Sequence, residues 1–253
     1  MGIDTNELGL VSRALPQPTS DNQLRVMRIG RYGAQIADVA ISGPNFLADE
    51  GSYFTAQNPT PGTGVAHALT TTFTNTAAMF SFFNKASQNG KRIYLHYVRL
   101  IFTAVPATST VHDFVFDIDT SLNRAPTANN TTITPVNPNG DDGTQSLCGL
   151  QAFSAGSLTV PASTAATRRV ARFRAVTGQV IAGDCILIQF GSMDFTQSRS
   201  PLTAVRATDP GFIFVNAPPA IIGPQNYGTL LRWSATETTT APSFEYELGW
   251  MER

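Results

Sequence analysis

The stretch from Lys91 to Val105 (KRIYLHYVRLIFTAV) is the longest unbroken strand signal in the chain. Aromatic and β-branched residues suit a pleated surface, and neither Gly nor Pro interrupts them. Period-two alternation sends Ile93, Leu95, Tyr97, Arg99, Ile101, Thr103 and Val105 to one face. Arg92, Tyr94, His96, Val98, Leu100, Phe102 and Ala104 take the other. In the second half both sets are apolar. The pattern predicts a central strand whose outer side is covered as well, by a second sheet or by a partner subunit.

Strand signals recur from residue 66 onward. They include Leu69 to Thr74 (LTTTFT), Met79 to Phe83, His112 to Asp119, Leu158 to Pro161 and Arg168 to Val176. Cys185 to Phe190, Gly211 to Val215, Ala220 to Ile222, Thr229 to Ala235 and Ser243 to Met251 follow. In the last of these Phe244, Tyr246, Leu248 and Trp250 alternate with Glu245 and Glu247. In His112 to Asp119 the apolar row Phe114, Phe116, Ile118 opposes Asp113, Val115, Asp117 and Asp119, which reads as a strand with one wet face. Asn89-Gly90 is a turn dipeptide. Thr120 to Ser146 and Gln197 to Pro210 read as long loops. No long amphipathic helix and no repeat of solenoid period appears. Eight to ten strands with turn signals between them predict an all-β fold, a β-sandwich of jelly-roll type.

Residues 1–62 differ in style and read as an irregular, extended N-terminal arm and linker before a body over residues 63–253. Leu15-Pro16-Gln17-Pro18 is stiff and extended. Ser20-Asp21 suits the cap of a short helix through Leu24, Met27 and Arg28. Arg25, Arg28 and Arg31 recur every third residue, with Tyr32 next. They read either as a solvated edge or as a grip on a partner surface. Asn58-Pro59-Thr60-Pro61-Gly62-Thr63-Gly64 is a turn or linker without the lysine of a phosphate-binding loop.

The formal net charge of -1 argues against a field that would draw nucleic acid or anionic lipid. Charged residues make up 14% of the chain, against roughly 25% in ordinary domains, so the surface is expected to be covered in an assembly. Neither a secretory signal nor a membrane span is read in the sequence, which implies synthesis in a cytoplasm. Cys148 and Cys185 stand apart from any ligand spacing and read as buried thiols, with a single bridge as the alternative. His67, His96 and His112 have no neighbour at ligand spacing, and His96 reads as a hydrogen-bonded structural residue. Asp117 and Asp119, and the pair Asp141-Asp142, read as a solvated strand edge and as turns, with calcium ligation and glycosidic chemistry as the lesser alternatives. No cofactor, metal or catalytic residue is expected. Arg168, Arg169, Arg172 and Arg174 form the densest charge. They are read as cross-strand partners of residues such as Glu245 and Glu247, with an intersubunit patch at Arg168, Arg172 and Arg174 as the second reading and phosphate contact as the third.

The segment from Leu47 to Gly64 (LADEGSYFTAQNPTPGTG) resembles the start of virion structural proteins of tailed bacteriophages, of the type that decorates or cements the capsid. The arm followed by a Thr/Ala-rich body, with the Ala182-Gly183-Asp184 turn entering a buried strand, is similar in style. The resemblance implies a non-enzymatic jelly-roll subunit, a homo-oligomer and often a trimer. Its partner would be the major capsid protein on the outside of a virion made in the host cytoplasm, with no specific nucleic acid and no membrane. The alternative is a fibre or receptor-binding module whose long loops contact a host glycan.

Overall fold

The structure is a computed structural model that describes residues 28–29, 35–36, 43–106, 111–140, 143–176, 180–191, 211–237 and 239–253. Two compact units divide between Phe46 and Leu47. In the first, β1 (Arg28–Ile29) and β2 (Gln35–Ile36) form an antiparallel pair. Arg28 therefore lies in a strand, not in the expected helix. The short helix α1 (Gly43–Asp49) spans the division.

The second unit is all β. Its strands are β3 (Tyr53–Gln57), β4 (Val65–Ala66), β5 (Ala77–Asn84), β6 (Ile93–Ala104), β7 (Val111–Asp119), β8 (Asn130–Ile133) and β9 (Cys148–Phe153). Then come β10 (Leu158–Thr159), β11 (Thr167–Val176), β12 (Cys185–Phe190), β13 (Phe212–Ala217), β14 (Ile221–Ile222), β15 (Tyr227–Trp233) and β16 (Ser243–Glu252). The body thus begins with β3, earlier than residue 62, because Tyr53–Gln57 pairs along β16 despite the Pro- and Gly-rich turn that follows it. Leu69 to Thr74, expected as a strand, is not one; Phe73 instead lies edge-on to Trp233 at 5.1 Å.

Eight strands carry the architecture, and they pair as nested hairpins. β3 pairs with β16, β5 with β15, β6 with β12, and β7 with β11, all antiparallel. The first strand thus meets the last, the second the next to last, and so inward. The ribbon then curls so that β6 also pairs with β16, and β7 with β15. Two sheets result, with cores β12-β6-β16-β3 and β11-β7-β15-β5. This is jelly-roll winding, with two Greek keys wrapped over one interior. β13 extends the first sheet in parallel to β12, and β9 and β8 extend the second beyond β5. The Asn89-Gly90 turn forms, with Asn89 at φ 70°, but it carries the chain from one sheet to the other and closes no hairpin.

The sheets face each other across an aromatic layer. Phe80 meets Tyr246 edge-on at 5.1 Å, Phe82 meets Trp250 at 6.5 Å and Phe116 meets Phe190 at 5.6 Å. The alternation expected for β16 holds, with Phe244, Tyr246, Leu248 and Trp250 inside. β6 departs from strict alternation. Ile93 and Leu95 point inward, then Val98, Leu100 and Phe102. Opposite β16 the register jumps from Leu95 to Tyr97, so His96 is the extra residue of a β-bulge that changes the phase. Its outward side is half-buried and carries Tyr97, Arg99 and Ile101; the second sheet covers the inward side alone. Gly249, opposite Tyr97, permits the close approach there: a Cβ would lie 2.3 Å from the Tyr97 ring and 2.6 Å from Tyr53 Oη.

Phe82→Ala removes a ring that touches Phe80, Phe116 and Trp250 in a fully buried position. It is expected to cost about 3–5 kcal/mol, read as a lower urea midpoint at unchanged slope.

Candidate functional site

The arginines of β11 are placed by a second bulge. Pairing with β7 skips from Arg169 to Ala171, after which Ala171, Phe173 and Ala175 point inward and Arg172 and Arg174 outward. Arg174 makes a bidentate pair with Asp113, Nε to Oδ1 at 2.7 Å and Nη2 to Oδ2 at 3.1 Å. Arg169 Nε donates to Asp117 Oδ1 at 3.3 Å, and its guanidinium stands 4.7 Å from the Phe73 ring centre. Arg172 stands 5.9 Å from the Trp233 ring. The aspartates of the adjacent strand are therefore the partners, not Glu245 and Glu247, which lie in the other sheet. Among the described residues Arg168 and Arg172 are exposed and have no carboxylate partner. Arg25, Arg31 and Tyr32 lie outside the described residues, as does the side chain of Arg28.

The face of β7 expected to be wet is buried. Asp113, Asp117 and Asp119 are 1–2% exposed, and Val115 packs with Leu231 and Trp233. Guanidinium groups and a covering segment replace water there. Arg124, from the loop after β7, donates from Nη1 to Asn75 O at 2.7 Å and to Pro161 O, and its Nη2 lies 3.9 Å from Asp117. Burial raises the Asp117 carboxyl, against the pull of Arg169 and Arg124. Burial also works to raise Asp119, but bonds from Thr167, Ser121 and Asn123 outweigh it and hold that carboxyl below its usual range. Both carboxylates are tied into the fold, an arrangement of structural groups and not of an acid and a base across a cleft. Asp141 and Asp142 lie outside the described residues.

The outward face of the other sheet holds a second constellation. Tyr97 Oη donates to Glu247 Oε1 at 2.5 Å, and Arg99 Nη1 to Glu247 Oε2 at 3.1 Å. Tyr53 Oη and His96 Nδ1 are 2.8 Å apart, so His96 is hydrogen-bonded as expected. Burial and the nearby Glu247 push the Tyr53 phenol up to about 12. A pocket of about 140 Å³ opens here, walled by Gln57, Asn58, Pro61, Arg99, Glu245 and Glu247. Glu245 Oε1 is buried without a hydrogen-bond donor. A neighbouring cleft of about 430 Å³ shares Gln57, Asn58 and Pro61 and continues along Thr132–Val136. It lies where the terminal strands of the two sheets meet, held by reciprocal main-chain bonds between Thr55 and Val136 at 2.9 and 2.8 Å. None of the residues lining it is ionisable.

A third cluster lies in the interior. Arg232 is fully buried, pairs with buried Glu237, and donates from Nη2 to His112 Nδ1 at 2.8 Å. That donation makes His112 a neutral imidazole with its proton on Nε2. His67, also fully buried, donates from Nδ1 to Ala68 O at 3.0 Å. Burial and the Arg232 charge lower His67 to about 3 and hold His112 well below its ordinary value. Spacing in the sequence gave no sign of this group, since Arg232 sits within an apolar strand. Cys148 and Cys185 are free and buried, in different sheets. Among the described residues no group of His, Cys, Asp and Glu could hold a metal ion, and no helix is long and apolar enough to cross a membrane.

No protein-family model, curated protein or solved structure matches the chain.

Two outcomes follow from the interior cluster. Histidines lowered in the folded state bind protons preferentially when unfolded, so their contribution is intact above about pH 6.5 and is lost as pH falls toward 3. Urea unfolding at pH 4.5 should show about 2–3 kcal/mol less stability than at pH 7 from His67 alone, and His67→Phe should flatten that slope. Glu237→Leu leaves Arg232 buried and unpaired and should cost about 3–5 kcal/mol, whereas Arg232→Met with Glu237→Leu should recover most of it.

Proposed function

We propose that the chain is a non-enzymatic structural protein of a phage virion, which decorates or cements the capsid through subunit–subunit contacts. It acts as a homo-oligomer, a trimer, on a lattice of major capsid protein. The observation that carries this reading is the jelly-roll winding itself, whose first strand β3 lies within the Leu47 to Gly64 segment that resembles virion proteins. Jelly rolls recur as shell and lectin modules. In this one the interior and the β7 face are given over to packing and internal ion pairs, while unpaired charge remains on the outward faces. Many weak contacts on a repeating lattice add up through multivalency, so no single one need be large.

The second reading, a glycan-binding module, is favoured by one feature: the neutral 430 Å³ cleft lined by Thr, Gln and Asn with Ile133, Val136 and Pro61 as apolar wall. That volume falls within the range of small-molecule sites.

Co-sedimentation of the purified chain with capsids assembled without it decides between them. The structural reading expects saturable binding at a fixed ratio to the major capsid protein, visible as added density by electron microscopy. A monomer that ignores such capsids yet binds a glycan array, and loses that binding on Thr132→Trp, would replace it with the second reading.

A further inference from the structure

We infer that copies of this chain associate side to side, the β11 rim of one seating a free arginine in the Glu245 pocket on the β3 rim of the next. This rests on the assembly reading above and names the contact.

The two sides of the contact come from the same winding. β11 is the terminal strand of one sheet and β3 the terminal strand of the other. β3 closes against the segment after β8, the far end of the sheet that begins with β11. The two rims therefore lie on opposite sides of the sandwich. A surface on one side that fits a surface on the other makes a heterologous contact, which propagates into a ring or a shell instead of stopping at a two-fold dimer.

The β11 rim offers donors. Its four arginines divide into two kinds: Arg169 and Arg174 are consumed by Asp117 and Asp113, while Arg168 and Arg172 are exposed and have no carboxylate partner among the described residues. The ring of Trp233 lies beneath the Arg172 guanidinium. That contact orders the side chain before association and lowers the entropy lost on docking. Arg168 stands opposite Ile118 and Arg172 opposite Val115, so the bulge sends them to opposite faces of the rim, and each contact fills one socket with one guanidinium.

The β3 rim offers the acceptor. Glu247 is already saturated by Tyr97 and Arg99. Glu245, two residues earlier on the same face, has a carboxylate oxygen withdrawn from solvent with no donor. A buried, unmatched carboxylate oxygen costs stability that a charged donor returns. The pocket around it holds about 140 Å³, with Ile101 and Pro61 as apolar wall for an arginine stem, the amides of Gln57 and Asn58 beside it, and Arg99 on the same wall with its charge offset by Glu247. The planar fork of a guanidinium meets a carboxylate with two parallel bonds, which an ammonium group does not do.

Light scattering and sedimentation velocity of the purified chain across protein concentration test the contact. The wild type should form species larger than a monomer, weakening as salt rises from 50 to 500 mM. Glu245→Gln, and separately Arg168→Gln with Arg172→Gln, should each weaken association at least tenfold while circular dichroism stays unchanged. The decisive arm is a charge swap. Glu245→Arg and the Arg168→Glu/Arg172→Glu variant should each be monomeric alone and should associate when mixed one to one, because the intact arginine rim of the first meets the intact Glu245 of the second and the exchanged faces meet in turn. If Glu245→Arg fails to fold, the glutamine variants carry the test. A wild type that stays monomeric at millimolar concentration overturns the inference. So does association that is unchanged in the glutamine variants, or a swap mixture that remains monomeric. Capsid binding that survives these substitutions leaves the structural reading standing and removes only this contact.

Discussion

The main-chain pairing of β6 with β16 holds the sandwich together. It joins positions about 150 residues apart, with the Tyr97 side chain bonding Glu247 across the same two strands, and it seats the last strand between β6 and β3. The two innermost nested pairs, β6 with β12 and β7 with β11, lie inside that closure. The loop entropy of bringing such distant segments together is compensated only when both sheets bury their facing sides at once, so the aromatic layer and the long-range ladder form cooperatively. The bulge at His96 belongs to the same closure. It resets β6 so that Ile93 and Leu95 at one end and Val98, Leu100 and Phe102 at the other all reach the shared interior.

Polar chemistry follows the winding. The residues that look most reactive in the sequence, the Asp113–Asp119 series and the β11 arginines, lie on neighbouring strands and largely neutralise each other. The interior pair Arg232–Glu237, with His112 and His67 beside it, is a different matter. Arg232 Nε and Nη1 and Glu237 Oε2 lack partners there, so the pair is costly relative to an apolar replacement of similar shape.

Alternation made several elements readable from sequence. β16 shows its inward aromatic row directly, β12 reads as a short buried strand, and the jelly-roll class follows from the number and spacing of such runs. What could not be read has physical causes. A bulge adds one residue without any compositional mark, so the phase changes at His96 and Val170 were invisible, and with them the sides taken by Arg99 and Arg169. β-Branched composition suggested a strand at Leu69 to Thr74, yet that segment serves as cover, with Phe73 against Trp233. β3 was hidden by the Pro- and Gly-rich turn after it, and its membership depends on a partner strand at the other end of the sequence. Of the expected interface residues, the structure leaves Arg168 and Arg172 open and engages Arg174; the Glu245 pocket had no local signature, because it is built from three separate segments.

The nested order also decides how the sandwich carries tension. Tyr53 opens β3, and its ladder neighbour Met251 stands near the close of β16, so both ends of the outermost pair leave from the same edge. Tugging on those two ends loads one rung at a time, like a zip, while the ladders deeper in the winding bear nothing until the outer one has peeled away. The sandwich is therefore strong when sheared across its flanks and weak when drawn out by its ends.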